Sequence, residues 1–206
     1  MKTQVIRYAI FGCAVVLVSF VLSGPATGQN AGTDRVPTVS FLPERLTMNG
    51  AVVYRSGTML VRTRDDVFAT IHTSGLTPGN VYTGWFGIFN NPRACATSPC
   101  TPADLSNPAV QGALINFGGR IVGPDGVASF AEVRRVGDTT NAHFGPPALP
   151  VSPGLVDPRR AEIHLAVRNH GPASGDPATL ALQLTMFNGG CPPNACVTVQ
   201  AVPHQP

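Results

Sequence analysis

Lysine occurs once in 206 residues, at position 2, and charged residues of every kind make up only 12% of the chain. With 14 basic against 11 acidic side chains, there is no cationic field to hold a phosphate backbone, which excludes nucleic acid as a partner. Long apolar runs are also missing. The longest, Ala9 to Leu22, falls short of the roughly 20 residues that span a bilayer as a helix. No Gly-rich nucleotide loop, zinc-protease motif, nucleophile elbow or Asn-x-Ser/Thr acceptor is present. What is abundant is punctuation: 22 glycines and 20 prolines beside 43% hydrophobic residues. Such a chain folds, but into many short segments with little helix, and all-β is the class expected.

The N-terminus has the form of a secretory leader. Lys2 and Arg7 precede the apolar run, Ser23-Gly24-Pro25 breaks it, and Ala26-Thr27-Gly28 offers the small residues of a cleavage site. Cleavage is expected after Gly28, followed by a flexible lead-in over residues 29–36 and a single domain over 37–206. Lys2, Arg7 and Cys13 leave with the leader, so the remaining basic residues are all arginine and the mature chain is nearly neutral. No transmembrane segment is expected after leader removal, and the address is secreted, periplasmic or cell-envelope.

Four cysteines remain, in two Cys-x4-Cys pairs: Cys95 with Cys100, and Cys191 with Cys196. Export and equal spacing across Pro-rich turns favour two local disulfides among the three possible connectivities. A four-thiolate zinc site is the alternative, but its knuckles use shorter spacings and a reducing compartment. A redox pair would normally be Cys-x-x-Cys ahead of a helix.

Period-two patterning runs along most of the mature chain. Strands are expected over Thr58–Arg64, Val67–His72, Val81–Asn90, Ala161–Arg168, Thr179–Phe187 and Cys196–Val202. Ala113–Val122 and Val127–Val136 flank Gly123-Pro124-Asp125-Gly126 and read as a hairpin. Val81–Asn90 is apolar on both faces, which suits a central strand and places Trp85 and Phe86 in the core rather than on a sugar-stacking platform. About eight strands and no amphipathic helix close most naturally as an antiparallel sandwich, with a barrel as runner-up. Leu76-Thr77-Pro78-Gly79-Asn80-Val81-Tyr82 resembles the Leu-x-Pro-Gly-x-x-Tyr turn of fibronectin type III domains. The resemblance implies that the Tyr82 hydroxyl reaches back to the backbone and pins a Greek-key corner, hence an immunoglobulin-like sandwich. Two long Pro-rich loops, 90–110 and 137–160, interrupt the strands, and loops of that length commonly carry recognition.

Candidate chemistry centres on Ala161–Gly171. On a strand, Glu162, His164, Ala166 and Arg168 share one face while Ile163, Leu165 and Val167 point to the core. That row could bind an anion, order a water or hold a metal, or it could be a polar face with cross-strand ion pairing. A copper or zinc site would use His164 with His72, His143 or His170 and would need three ligands to converge. There is no His-x-His pair, and no metal or cofactor is assigned. Ser56, Ser74, Ser129 and Ser152 lack an elbow for nucleophilic catalysis, and Glu44, Glu132 and Glu162 cannot be paired from sequence as a glycosidase would require.

Trp85-Phe86-Gly87-Ile88-Phe89-Asn90-Asn91-Pro92 with Cys95, then Asp157-Pro158 and Ala161 through Pro172, is similar to a group of uncharacterised exported bacterial proteins. The similarity runs from about Leu60 to His204 and implies export and one domain, but no reaction or ligand. The resulting expectation is a non-catalytic envelope or secreted module that recognises a protein or glycan through loops 90–110 and 137–160. It should show an apolar patch near those loops and no buried charge cluster. The metal-binding exported protein is the alternative, and a structural envelope protein associating through an edge strand is a third reading.

Overall fold

The computed structural model describes residues 36–43, 46–48, 51–143, 153–191 and 196–206. The expected leader, the lead-in up to residue 35 and the centre of the second long loop, with Pro146, Pro147 and Pro150, lie outside the described residues. The strands are β1 (Thr38–Pro43), β2 (Thr47–Met48), β3 (Ala51–Val52), β4 (Gly57–Arg62), β5 (Asp66–Thr73), β6 (Asn80–Phe89), β7 (Gly112–Ile121), β8 (Ala128–Arg135), β9 (Glu162–Pro172) and β10 (Val197–His204). One helix, α1 (Pro177–Thr185), stands between β9 and β10. The strands form two antiparallel sheets, ordered β1-β4-β5-β8 and β3-β2-β10-β9-β6-β7.

Alternation decides which side chains face inward. Leu60 of β4, Val67, Ala69 and Ile71 of β5, and Phe130 of β8 meet Phe86 and Ile88 of β6, Ile115 of β7, and Ile163, Leu165 and Val167 of β9 in one buried apolar cluster. β6 pairs with β7 on one side and β9 on the other and is buried along nearly its whole length, as its apolar sequence implies. Removing each of these side chains except Ala69 from water contributes about 1.5–3 kcal/mol.

The structure corrects two local expectations. Gly123-Pro124-Asp125-Gly126 does not close a hairpin: β7 ends one sheet and β8 ends the other, where it pairs with β5. The turn is held by a different segment, with Leu76 N donating to Gly126 O and Gly79 N donating to Val122 O. Gly126 has φ +66°, and a Cβ there would lie 2.8 Å from Leu76 O, so glycine is required by both backbone and neighbour.

The expected strand over Thr179–Phe187 is instead α1. Asp176 caps it, accepting from Thr179 N at 2.9 Å, and Pro177 occupies the first turn. The alternating leucines are equally good helix formers, and Leu182 and Met186 remain exposed, so the cap and the composition outweigh the period. The face that α1 buries is polar. Gln183 donates Nε2 to His170 O and Pro172 O and accepts from Ser174 N, and Gly119 of β7 gives α1 room to lie against its backbone at Leu184.

Loop 90–110 is not irregular. It holds three short 3₁₀ turns, Pro92–Ala94, Pro102–Ser106 and Pro108–Val110. Asp104 accepts from Ala96 N, Thr101 N and Thr101 Oγ1, and these donors, the Ala96 amide first, hold its carboxyl below the ordinary carboxylate range. The short strands β1, β2 and β3 were not expected.

Candidate functional site

The outward face of the six-stranded sheet is covered rather than wet. A second apolar cluster of Trp85, Phe89, Cys100, Leu105, Val110 and Leu114 lies there, with Phe187 and Ala166 packed on it. Register explains a hollow beneath this cover. Gly87 of β6 stands opposite His164, and Ala166 of β9 stands between Trp85 of β6 and Ala201 of β10. Small residues on three adjacent strands therefore form a floor, while Trp85, Phe89, Leu105 and Phe187 form walls. The cavity is about 170 Å³ and almost wholly apolar. Gly87 is not forced by crowding, since a Cβ there would meet its neighbours at ordinary contact distances of 3.5 Å or more.

The aromatic walls hold one another. Trp85 and Phe187 pack edge to face at 5.0 Å, and His143 stands 5.2 Å from Phe187 and 6.4 Å from Trp85. Trp85 Nε1 donates to Thr83 Oγ1 at 2.6 Å. Arg168 lies 3.8 Å over the Phe187 ring and donates to Phe187 O, Asn188 Oδ1, Cys196 O and Thr198 Oγ1. Burial pushes its guanidinium down to about 10, where it is still charged at neutral pH. Arg168 thus clamps the segments on either side of Cys191 and Cys196 onto the sheet.

Two polar side chains line the cavity, Thr198, which accepts from Arg168, and an oriented imidazole, His164. His164 Nε2 lies 2.6 Å from Glu162 Oε1, and the same oxygen accepts from Cys100 N at 2.7 Å. His164 Nδ1 has no protein partner among the described residues, and in the neutral tautomer that places the proton on Nε2 it is a hydrogen-bond acceptor. The loop 90–110 is thereby tied to β9 through the carboxylate that orients the imidazole.

The sequence-predicted site residues divide among three places. Glu162, His164 and Arg168 do share one face of β9, with Ile163, Leu165 and Val167 on the core side. His143 joins them through the aromatic wall. His72 does not: it is exposed on the outward face of the other sheet and bonded to Ser129 Oγ at 2.8 Å, with both sheets between it and His164. His170 is fully buried near the far end of β9, its Nε2 2.8 Å from Thr83 Oγ1. Its imidazole is pushed down to about 4 by burial first and by the Arg168 charge, and so is neutral at ordinary pH. No three possible metal ligands converge around His164 among the described residues. Glu162, Arg168, Arg62 and Arg134 are each buried, on three different strands.

Cys95 pairs with Cys100 and Cys191 with Cys196, each at a Cα separation of 5.4 Å, a distance typical of disulfides. Sequence reasoning missed the wall residues Leu105 and Phe187, because both come from segments whose turns and helix were not foreseen. Asn90 joins the two predicted loops, giving Nδ2 to Gln111 O and Gly154 O and accepting from Val156 N. Beside it opens a polar cleft of about 600 Å³ bordered by Arg93, Arg159 and Arg160. Arg160 there pairs with Asp157 at 3.5 Å, and Arg159 donates to Val36 O. No helix among the described residues is long and apolar enough to cross a membrane. Comparison with protein-family models, curated proteins and solved structures finds no match to this chain.

Proposed function

We propose that this chain is an exported, immunoglobulin-like β-sandwich that works as a non-catalytic binding module, seating one aromatic side chain of a partner protein in the Trp85–Phe187 cavity. The strand order supports the fold: β4-β5-β8 facing β10-β9-β6-β7 follows the A-B-E and G-F-C-C′ arrangement of such sandwiches. Thr77 N donates to the Tyr82 hydroxyl at 3.0 Å where the chain passes from one sheet to the other, the backbone contact that the turn's resemblance implies, although in this strand order it falls at the B-to-C link and not at the E-to-F corner. Two local cysteine pairs suit an oxidising compartment.

The observation that carries the function is the cavity. About 170 Å³ is close to the ~150 Å³ that holds a benzene and below the ~300–1,000 Å³ of small-molecule pockets. It therefore fits one ring, not a cofactor or an oligosaccharide. Trp85 is 1% exposed and offers no flat platform for a sugar, which favours a protein over a glycan. His164 Nδ1 adds a single acceptor, so a phenol satisfies the site better than a plain hydrocarbon ring. Leu105 of loop 90–110 supplies part of the wall, in line with recognition through that loop.

Selection of displayed peptides against the exported protein tests this. Enrichment of sequences sharing one tyrosine or phenylalanine anchor is expected, and it is lost in Ala166→Phe, whose ring fills the floor. No enrichment, or enrichment indifferent to Ala166→Phe while that variant melts normally, contradicts the reading.

A further inference from the structure

Independently of the cavity, the far end of β9 gathers three metal-binding atoms. Nδ1 of His170 lies 3.5 Å from the sulfur of Cys191 and 3.5 Å from that of Cys196. Among the described residues this is the one group of three possible ligands whose donor atoms converge. We propose that, when the Cys191–Cys196 bond is reduced, His170 Nδ1 and the two thiolates bind one thiophilic d10 cation, zinc or cuprous copper.

Several features suit that role. Zinc bonds of about 2.3 Å to sulfur and 2.0–2.1 Å to nitrogen set donor atoms roughly 4 Å apart. The nitrogen already stands near that distance from both sulfurs, so only the sulfurs have to part. Thr83 Oγ1, 2.8 Å from His170 Nε2, is placed to accept an Nε2 proton and so to turn the lone pair of Nδ1 toward the sulfurs. In the oxidised chain the opposite tautomer fits, with Nδ1–H donating to Gly189 O at 3.2 Å. Both cysteines are half-buried, within reach of a reductant, and their short loop adds little chain constraint. Arg168 holds the backbone at Cys196 O, which keeps the second ligand against the sheet after the bond opens.

The chemistry balances with a dithiol as reductant. Its two sulfurs join as a disulfide while Cys191 and Cys196 each gain an electron and a proton. The cation then displaces both thiol protons to solvent, and the imidazole proton moves from Nδ1 to Nε2. Oxidation and metal binding therefore exclude each other at this pair.

The test uses the full chain, reduced with a phosphine, given zinc alone or cuprous copper alone under exclusion of oxygen, and then alkylated and mapped by mass spectrometry. One bound ion per chain is expected, with loss of alkylation at Cys191 and Cys196 and none at Cys95 or Cys100. Uptake of either ion in this pattern upholds the site and tells which cation it takes. His170→Asn should abolish uptake, and because His170 is buried, Cys191→Ser at a half-exposed position is the second variant. No uptake, equal protection of all four cysteines, or undiminished uptake by Cys191→Ser overturns the proposal. None of these outcomes bears on peptide binding at the cavity.

Discussion

Arg62 is a guanidinium buried among carbonyls. It donates to Pro158 O, Ala161 O, His204 O and Gln205 O and so ties β4 to the segments before β9 and after β10. Burial pushes it down to about 10, and the charge survives because four acceptors replace its water. Arg62→Met should cost about 2–4 kcal/mol in denaturant unfolding, from the carbonyls left unpaired as much as from the lost bonds. Neighbouring His204 bonds Thr58 Oγ1 and Ser40 Oγ and is pushed down from 6.5 to about 4, by burial first, then by the charge of Arg62 and that of His164 when it too is protonated. The unfolded chain takes up this proton near 6.5 and the folded one only near 4, so stability is full above pH 6.5 and falls as the pH drops through that window. The expected loss is about 3 kcal/mol, and unfolding curves of His204→Gln should lack that share of the slope. Neither residue stood out in the sequence. An arginine at an inward strand position is legible only once the partners that make it tolerable are known.

At the scale of elements, period two was a sound guide where one face is apolar, as in β5 and β9, and misleading where helix formers happen to alternate, as in α1. There the deciding signal is Asp176-Pro177 before the run, a cap and a first-turn proline. Asp176→Ala should therefore cost about 1 kcal/mol, and by loosening the chain that leads to Phe187 it should weaken ligand binding at the cavity more than it lowers the melting temperature. An unchanged affinity would show that Arg168 alone fixes Phe187. The Leu76–Tyr82 turn was legible residue by residue, because a hydroxyl five residues from its donor makes a contact local in sequence. Tyr82→Phe should cost about 1 kcal/mol in thermal unfolding. The turn at Gly123–Gly126 was not, since pairing partners are chosen by distant strands: β8 buries Phe130 against Phe117 by joining β5.

In the whole molecule, two antiparallel sheets share one core, and the larger sheet carries a second apolar layer made by loop 90–110 and the segment after α1. Class, core face and cysteine pairing were readable because they follow from alternation and spacing. The cavity was not, because it arises where Gly87, Ala166 and Ala201 from three strands fall side by side and residues far along the chain wall them in. Trp85 is the single tryptophan and lines that cavity, so its fluorescence reports the site without a label. The most direct measurement is a titration of the protein with 4-methylphenol, following Trp85 emission in the wild type and in Ala166→Phe. The account predicts a saturable change in the wild type that is absent in the filled variant. A wild-type signal that only drifts linearly with ligand, or an equal response from Ala166→Phe, would contradict it.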